Sequence, residues 1–166
     1  MRVALLGAVI LLAGCHKELT PEEQADKDRR DIAMIEKAQQ SARPPLTEIT
    51  PDSITYVDIE EHDLSGSGCN YAPGTSLGTR VIAQPEVAYM KIDGKMTRFA
   101  RDIGARELPL GTWSKYDGLE YSLRLKISGE GRPAGNKTTN YDGSVILRDA
   151  FNRVVYDGSG LVQCSA

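Results

Sequence analysis

Histidine is nearly absent from this 166-residue chain, which has two, and aromatic residues amount to 6%, with one Trp and two Phe. With His16 near the start, only His62 could serve as a histidine base, and one base among scattered acids is a thin foundation for a hydrolase. The chain also lacks the G-x-S-x-G elbow, the H-E-x-x-H pair and a glycine loop ending in Gly-Lys-Ser/Thr, so the commonest serine, zinc and phosphate chemistries have no motif to stand on. Neither sign of charge is in excess: 20 Lys+Arg stand against 23 Asp+Glu, a net charge of -3. That balance excludes a basic nucleic-acid binder, and a lone Trp with scattered Tyr gives no basic-aromatic RNA surface. There is no apolar run of about 20 residues, the length a membrane-spanning helix needs. With 40% hydrophobic residues the composition suits one ordinary domain rather than a disordered or collagenous chain.

What is present begins with an address. Met1 and Arg2 make a short positive segment, followed by the apolar run Val3 to Ala13, which has the length of a signal-peptide core. Leu12-Ala13-Gly14-Cys15 then resembles the lipobox of bacterial lipoproteins. The resemblance implies a signal peptide over 1–14, cleavage before Cys15, a diacylglyceryl group on its sulfur and an acyl chain such as palmitate on the new amine. Several chains, at about 0.8 kcal/mol per buried methylene, anchor firmly. With His rather than Asp at position 16, it further implies an envelope protein at the outer membrane, facing the periplasm.

If Cys15 carries lipid, Cys69 and Cys164 remain, an even pair in an oxidising compartment. A bridge between them would enclose nearly the whole folded domain; two buried free thiols are the alternative. Neither lies in a C-x-x-C or zinc spacing, which argues against redox catalysis and thiolate ligation.

Residues 15–52 read as anchor, polar helix and Pro-rich linker. Thr20, Pro21 and Glu23 form a capping-box start, Pro44-Pro45 a stop, and the spacing predicts a helix over about 21–42. Glu23 with Lys27 and Asp26 with Arg30 are placed for i to i+4 pairs. Its apolar content (Ala25, Ile32, Met34, Ile35, Ala38) is too thin for a coiled coil; it fits a solvated spacer, or a face that docks on the β domain or a partner. From Cys15 to Asp63 acids outnumber bases 13 to 6, whereas from Leu64 onward bases lead 13 to 10: an acidic stalk precedes a mildly basic head.

Residues 53–166 read as a β domain. Expected strands are Ser53–Ile59, Thr79–Ala83, Val87–Ile92 and Lys95–Ala100 around an Asp93-Gly94 turn, Glu120–Ile127, Ser144–Arg148 and Arg153–Tyr156 around a DAFN loop, and Gly160–Cys164. In Glu120–Ile127 the residues Tyr121, Leu123, Leu125 and Ile127 share one face, and Ser122, Arg124 and Lys126 the other. Tyr-Asp-Gly occurs three times, at 116, 141 and 156, and its residue types predict turns. The fold class is mainly β, a small antiparallel sandwich or barrel preceded by one N-terminal polar helix.

No catalytic residue, metal ligand or cofactor other than the lipid on Cys15 emerges. The run Asp58 to Asp63 around His62 reads as a solvated loop rather than a metal site. Aromatic loop residues Tyr71, Trp113 and Tyr116 are the binding candidates, unless they plug the core at strand ends. In plan the chain is loosely similar to the membrane-bound inhibitors of c-type lysozyme, small β-barrel lipoproteins. Their Ser-Gly-x-x-Tyr loop is not matched by the nearest run, Gly111-Thr112-Trp113-Ser114-Lys115-Tyr116, so no site residue is carried over. The expectation is a non-enzymatic envelope lipoprotein that binds the membrane through its anchor and a periplasmic protein through its β domain, as accessory or inhibitor. A binding module for a lipid, glycan or metal ion is the alternative, and no nucleic-acid partner is expected.

Overall fold

The computed structural model describes residues 19–166, so the signal, Cys15 and His16 lie outside the described residues. The chain divides into two compact units, one up to Pro44 and one from Pro45 to Ala166.

In the first unit, α1 (Pro21–Ser41) starts where expected. The Thr20 hydroxyl accepts from the Glu23 N–H, and the Glu23 carboxylate accepts from the Thr20 N–H at 2.9 Å, satisfying two otherwise orphaned donors. The cap engages Glu23, and the ion pairs differ from those expected: Lys27 meets Asp31 at 3.3 Å and Arg29 meets Asp26. None of the helix's residues is buried, and Ile32, Met34 and Ile35 are all exposed. Among the described residues no helix is long and apolar enough to cross a membrane.

The second unit is an eight-stranded antiparallel closed barrel. Its strands are β1 (Gly68–Pro73), β2 (Val81–Ala83), β3 (Val87–Ile92), β4 (Lys95–Arg101), β5 (Lys115–Asp117), β6 (Tyr121–Pro133), β7 (Thr138–Asp149) and β8 (Val154–Ser165). Each strand pairs with the next in sequence, and β8 returns to pair with β1. Between sandwich and barrel, the physical arbiter is this last pairing, in which Cys69 lies opposite Cys164. Their Cα atoms are 4.0 Å apart and the two sulfurs form a disulfide.

Several local expectations hold. Asp93 and Gly94 both have positive φ (49° and 74°), the requirement of a two-residue hairpin turn matched to strand twist. The β6 alternation is as read, with Leu123 and Leu125 buried and Arg124 and Lys126 exposed. Others are corrected. Ser53–Ile59 is not a strand: Asp52 makes one bridge to Lys91, and the chain then turns into a short helix, α2 (Tyr56–Glu61). A second capping box, Thr55 with Asp58, starts this helix, a signal the β-rich composition of the segment hid. The two expected segments at 153–156 and 160–164 are one strand, β8.

Two of the three Tyr-Asp-Gly runs are not turns either. Tyr141-Asp142-Gly143 lies inside β7 and Tyr156-Asp157-Gly158 inside β8. There, Tyr and Gly are two residues apart and share the inner face while Asp points out. A methyl at Gly158 would meet the Tyr156 hydroxyl at 2.2 Å and the Tyr71 hydroxyl at 2.6 Å; one at Gly143 would meet the Lys126 carbonyl oxygen at 2.4 Å. These glycines leave room for inward tyrosines and let neighbouring backbone approach.

The interior is filled: Tyr71, Met90, Phe99, Tyr116, Leu123, Leu147 and Val162 have no exposed area. An eight-stranded barrel is just wide enough to be filled in this way or to hold one small ligand, and here side chains occupy it. One mouth is covered by Pro45–Asp52, the segment read as the end of a linker. Its Ile49 N–H bonds to the Val155 carbonyl at 2.8 Å, Ile49 packs on the core, and the Asp52 N–H bonds to the Lys91 carbonyl at 2.8 Å. The other mouth is covered by the 3-10 turn Pro109–Gly111, where the buried Thr112 hydroxyl donates to the Pro109 carbonyl at 2.8 Å beside the disulfide.

Replacing both Cys69 and Cys164, 95 positions apart, with Ala is expected to lower stability by about 4.7 kcal/mol, the chain-entropy value for a loop of this size. Urea unfolding of the oxidised protein against the double variant measures it; equal midpoints would show that strand pairing alone sets the closure.

Candidate functional site

The three aromatic candidates meet different fates. Tyr71 and Tyr116 are fully buried, so neither presents a contact surface; they are the core plugs of the alternative reading. The Tyr71 hydroxyl pairs with that of Tyr156 at 3.2 Å. Tyr116 donates to the Gln84 carbonyl at 2.9 Å and accepts from the Trp113 N–H at 2.8 Å, tying β5 to the loop after β2. Burial pushes its phenol up to about 12, so it stays a neutral donor at any physiological pH. Trp113 is half-buried: its indole N–H bonds to the Pro85 carbonyl at 2.9 Å and Arg101 stands over its ring at 5.7 Å. It braces a mouth of the barrel and leaves one partly open face.

The acidic run around His62, expected to be a solvated loop, lies largely in α2, and its first member, Asp58, is structural. Asp58 accepts from the Thr55 N–H and hydroxyl, both at 2.7 Å, and from the Lys91 ammonium at 2.8 and 2.9 Å. That set clamps α2 to β3, over a small outer core of Ile54, Leu64 and Ile82 flanked by Tyr89 and Met96. The Lys91 hydrogen bond, then those from Thr55, hold the Asp58 carboxyl down to about 2. His62 ends the helix with its ring 6.0 Å from that of Tyr89. Among the described residues no three His, Cys, Asp or Glu side chains group in a way that could hold a metal ion.

The outer wall carries what the sequence reading did not assemble. Between the 106–114 loop and strands β6 and β7 runs a groove of about 320 Å³, lined by Arg106, Ser114, Arg124, Leu125, Lys126, Ser144 and Ile146. Backbone pairing builds it. Arg106 and Ser114 exchange main-chain and hydroxyl bonds at 2.9 and 3.0 Å, and the Leu125 N–H bonds to the Ser114 carbonyl at 3.1 Å. On the far side Arg124 faces Ile146 and Lys126 faces Ser144 in the β6–β7 register.

Arg106, Arg124 and Lys126 are exposed, and among the described residues none of their side chains has a hydrogen-bond or ion-pair partner. The carboxylates nearby are engaged elsewhere: Lys115 holds Asp102 at 2.8 Å and Asp117 at 2.9 Å. That contact lowers the Asp102 carboxyl and raises the Lys115 ammonium from their ordinary values. The outward direction of Arg124 and Lys126 was legible from β6's alternation. The arrival of Arg106 beside them was not, since it depends on a loop folding back along β5.

A second concavity, of about 310 Å³, lies where 48–50 meets Val154–Asp157; it bears the carboxylates of Glu48 and Asp157 and no cation. Compared with known proteins, the chain finds no significant match among family models, curated proteins or solved structures.

Two outcomes follow. The Asp58 contribution is fully present above the ordinary value of 3.8 and lost as pH falls through about 2, because protonation removes the acceptor that Lys91 and Thr55 share. Hydrogen-exchange protection in α2, taken against the intrinsic rate at each pH, should fall across that window in the wild type, and Asp58→Asn should already show low protection at neutral pH. Separately, Tyr116→Phe is expected to cost about 1–3 kcal/mol in urea unfolding, since it leaves the Gln84 carbonyl and Trp113 N–H unpaired.

Proposed function

We propose that this chain is a lipid-anchored bacterial envelope protein, held through Cys15 at the outer membrane and facing the periplasm, whose β domain is a non-enzymatic module that binds a periplasmic protein as accessory subunit or inhibitor. The observation that carries the reading is the filled barrel: with aromatic and aliphatic side chains through its interior and both mouths covered, recognition falls to the outside.

The outside is suited to a macromolecular contact. Loop tips after β1, β5 and β7 expose Leu77, Leu119 and Phe151, and an up-and-down order places these three loops at the same end of the barrel. Apolar side chains at an exposed end contribute most when a partner covers them. The groove on the wall adds charge that such a partner can complement.

Crosslinking of the lipidated protein in its native envelope, with mass spectrometry of what is attached, tests this. The expected result is one dominant protein partner, lost from the membrane fraction together with the chain itself in a Cys15→Ala variant. Background labelling alone would overturn the protein-binding reading, and a Cys15→Ala chain that stays in the membrane would overturn the anchor.

A further inference from the structure

We infer that the groove between the 106–114 loop and strands β6 and β7 receives an acidic, extended segment of the partner's chain, its carboxylates lying against Arg106, Arg124 and Lys126. This rests on the protein-binding reading and names the chemistry of the contact.

Three features of the groove carry the inference. Its cations are not tied down: among the described residues the side chains of Arg106, Arg124 and Lys126 make no hydrogen bond or close ion pair, Arg124 reaching Asp102 only through the field that helps lower its carboxyl, so an incoming carboxylate need not break an existing ion pair. Two acids on the adjoining β4–β5 side, Asp102 and Asp117, are both held by Lys115, which lies opposite Arg124 in the β5–β6 register. The lining is also mixed. Ile146 gives an apolar patch, while Ser114 and Ser144 bring hydroxyls that can donate; the Ser114 oxygen already accepts from the Arg106 N–H at 3.0 Å, which leaves its proton free to point outward.

The spacing is the third feature. Arg124 and Lys126 stand on the same face of β6 two residues apart, about 7 Å along the strand at about 3.3 Å per residue. Alternate side chains of an extended peptide repeat at the same interval, so one carboxylate can meet each cation in register. A single phosphate offers its charge at one point and matches this row less well. An anionic bilayer presents a plane, whereas these residues line a concavity.

The test uses the full-length protein in nonionic detergent, titrated with a short peptide alternating glutamate and leucine, with inorganic phosphate, and with vesicles containing an anionic phospholipid. The expected result is saturable peptide binding that disappears at high salt and weakens about tenfold when Arg124 and Lys126 are both changed to Ser, the loss of two exposed charge contacts. Arg106→Ser should weaken it in the same direction, whereas Lys95→Ser with Lys137→Ser, exposed cations outside the groove, should leave it unchanged. The wall residues are exposed, and an unchanged thermal midpoint confirms that each variant folds.

Peptide binding indifferent to the groove substitutions overturns the inference. So does tighter, substitution-sensitive binding of phosphate or of the vesicles, which would reassign the groove to a phosphoryl ligand or a lipid surface. Envelope crosslinking that captures the same partner from the Arg124→Ser, Lys126→Ser protein as from the wild type would leave the protein-binding reading standing and remove the groove from it.

Discussion

The pairing of β1 with β8 is the constraint on which the rest of this structure depends. A sheet of eight strands left open has two edges, each a row of unsatisfied N–H and C=O groups that invites other chains. Here the edges satisfy one another over Gly68–Pro73 and Gly160–Ser165, and Cys69 and Cys164 join covalently inside that seam. Closure fixes which residues point inward on every strand, because each neighbour's register follows from the last. A slip of one residue at the seam would send Tyr71 and Val162 to solvent.

Closure also explains why the chemistry lies on the outside. A small barrel must spend its interior on side chains or on a ligand. Side chains without exposed area, Tyr71, Phe99 and Tyr116 among them, take the first course; Gly158 supplies the room that Tyr71 and Tyr156 need, and Gly143 lets the Lys126 backbone and Val162 approach. Polar groups that reach inward are paired there, Tyr71 with Tyr156 and Tyr116 with Gln84 and Trp113. Cations and hydroxyls are left to the wall, where the outward halves of β6 and β7 and a returning loop bring three positive charges to one concavity.

How much of this could be read beforehand depended on the range of the interaction involved. Local chemistry was legible: the Thr20 capping box, the Asp93-Gly94 turn and the two faces of β6 are each decided within a few residues. The Cys69 and Cys164 bridge was one of two readings, because no short-range rule says whether residues 95 apart in sequence meet. Thr55–Asp58 was misread because Ile54, Tyr56 and Val57 favour strands, while the cap and the Lys91 contact that win are a side-chain and a tertiary effect. Tyr-Asp-Gly suggests turns because Asp and Gly are turn residues in isolation; inside the barrel, Gly158 answers to the tyrosines beside it and Gly143 to the Lys126 backbone of the neighbouring strand. The wall groove needed three separate segments to meet, so no single stretch announced it.

The order of the strands carries a consequence for how the molecule forms. Seven of the eight strand pairings join neighbours in sequence, so they can nucleate as hairpins and short meanders, the connection from Arg101 to Lys115 being a longer one. The eighth joins residues 95 positions apart and gains nothing until the whole meander has curled. Contacts of that separation bear the largest loop-closure entropy and are slow to form. Folding therefore has a natural last step, in which two free edges find each other and oxidation of the thiols follows docking. Until then the chain presents open strand edges, and the interval before sealing is when it is most exposed to aggregation and to proteases.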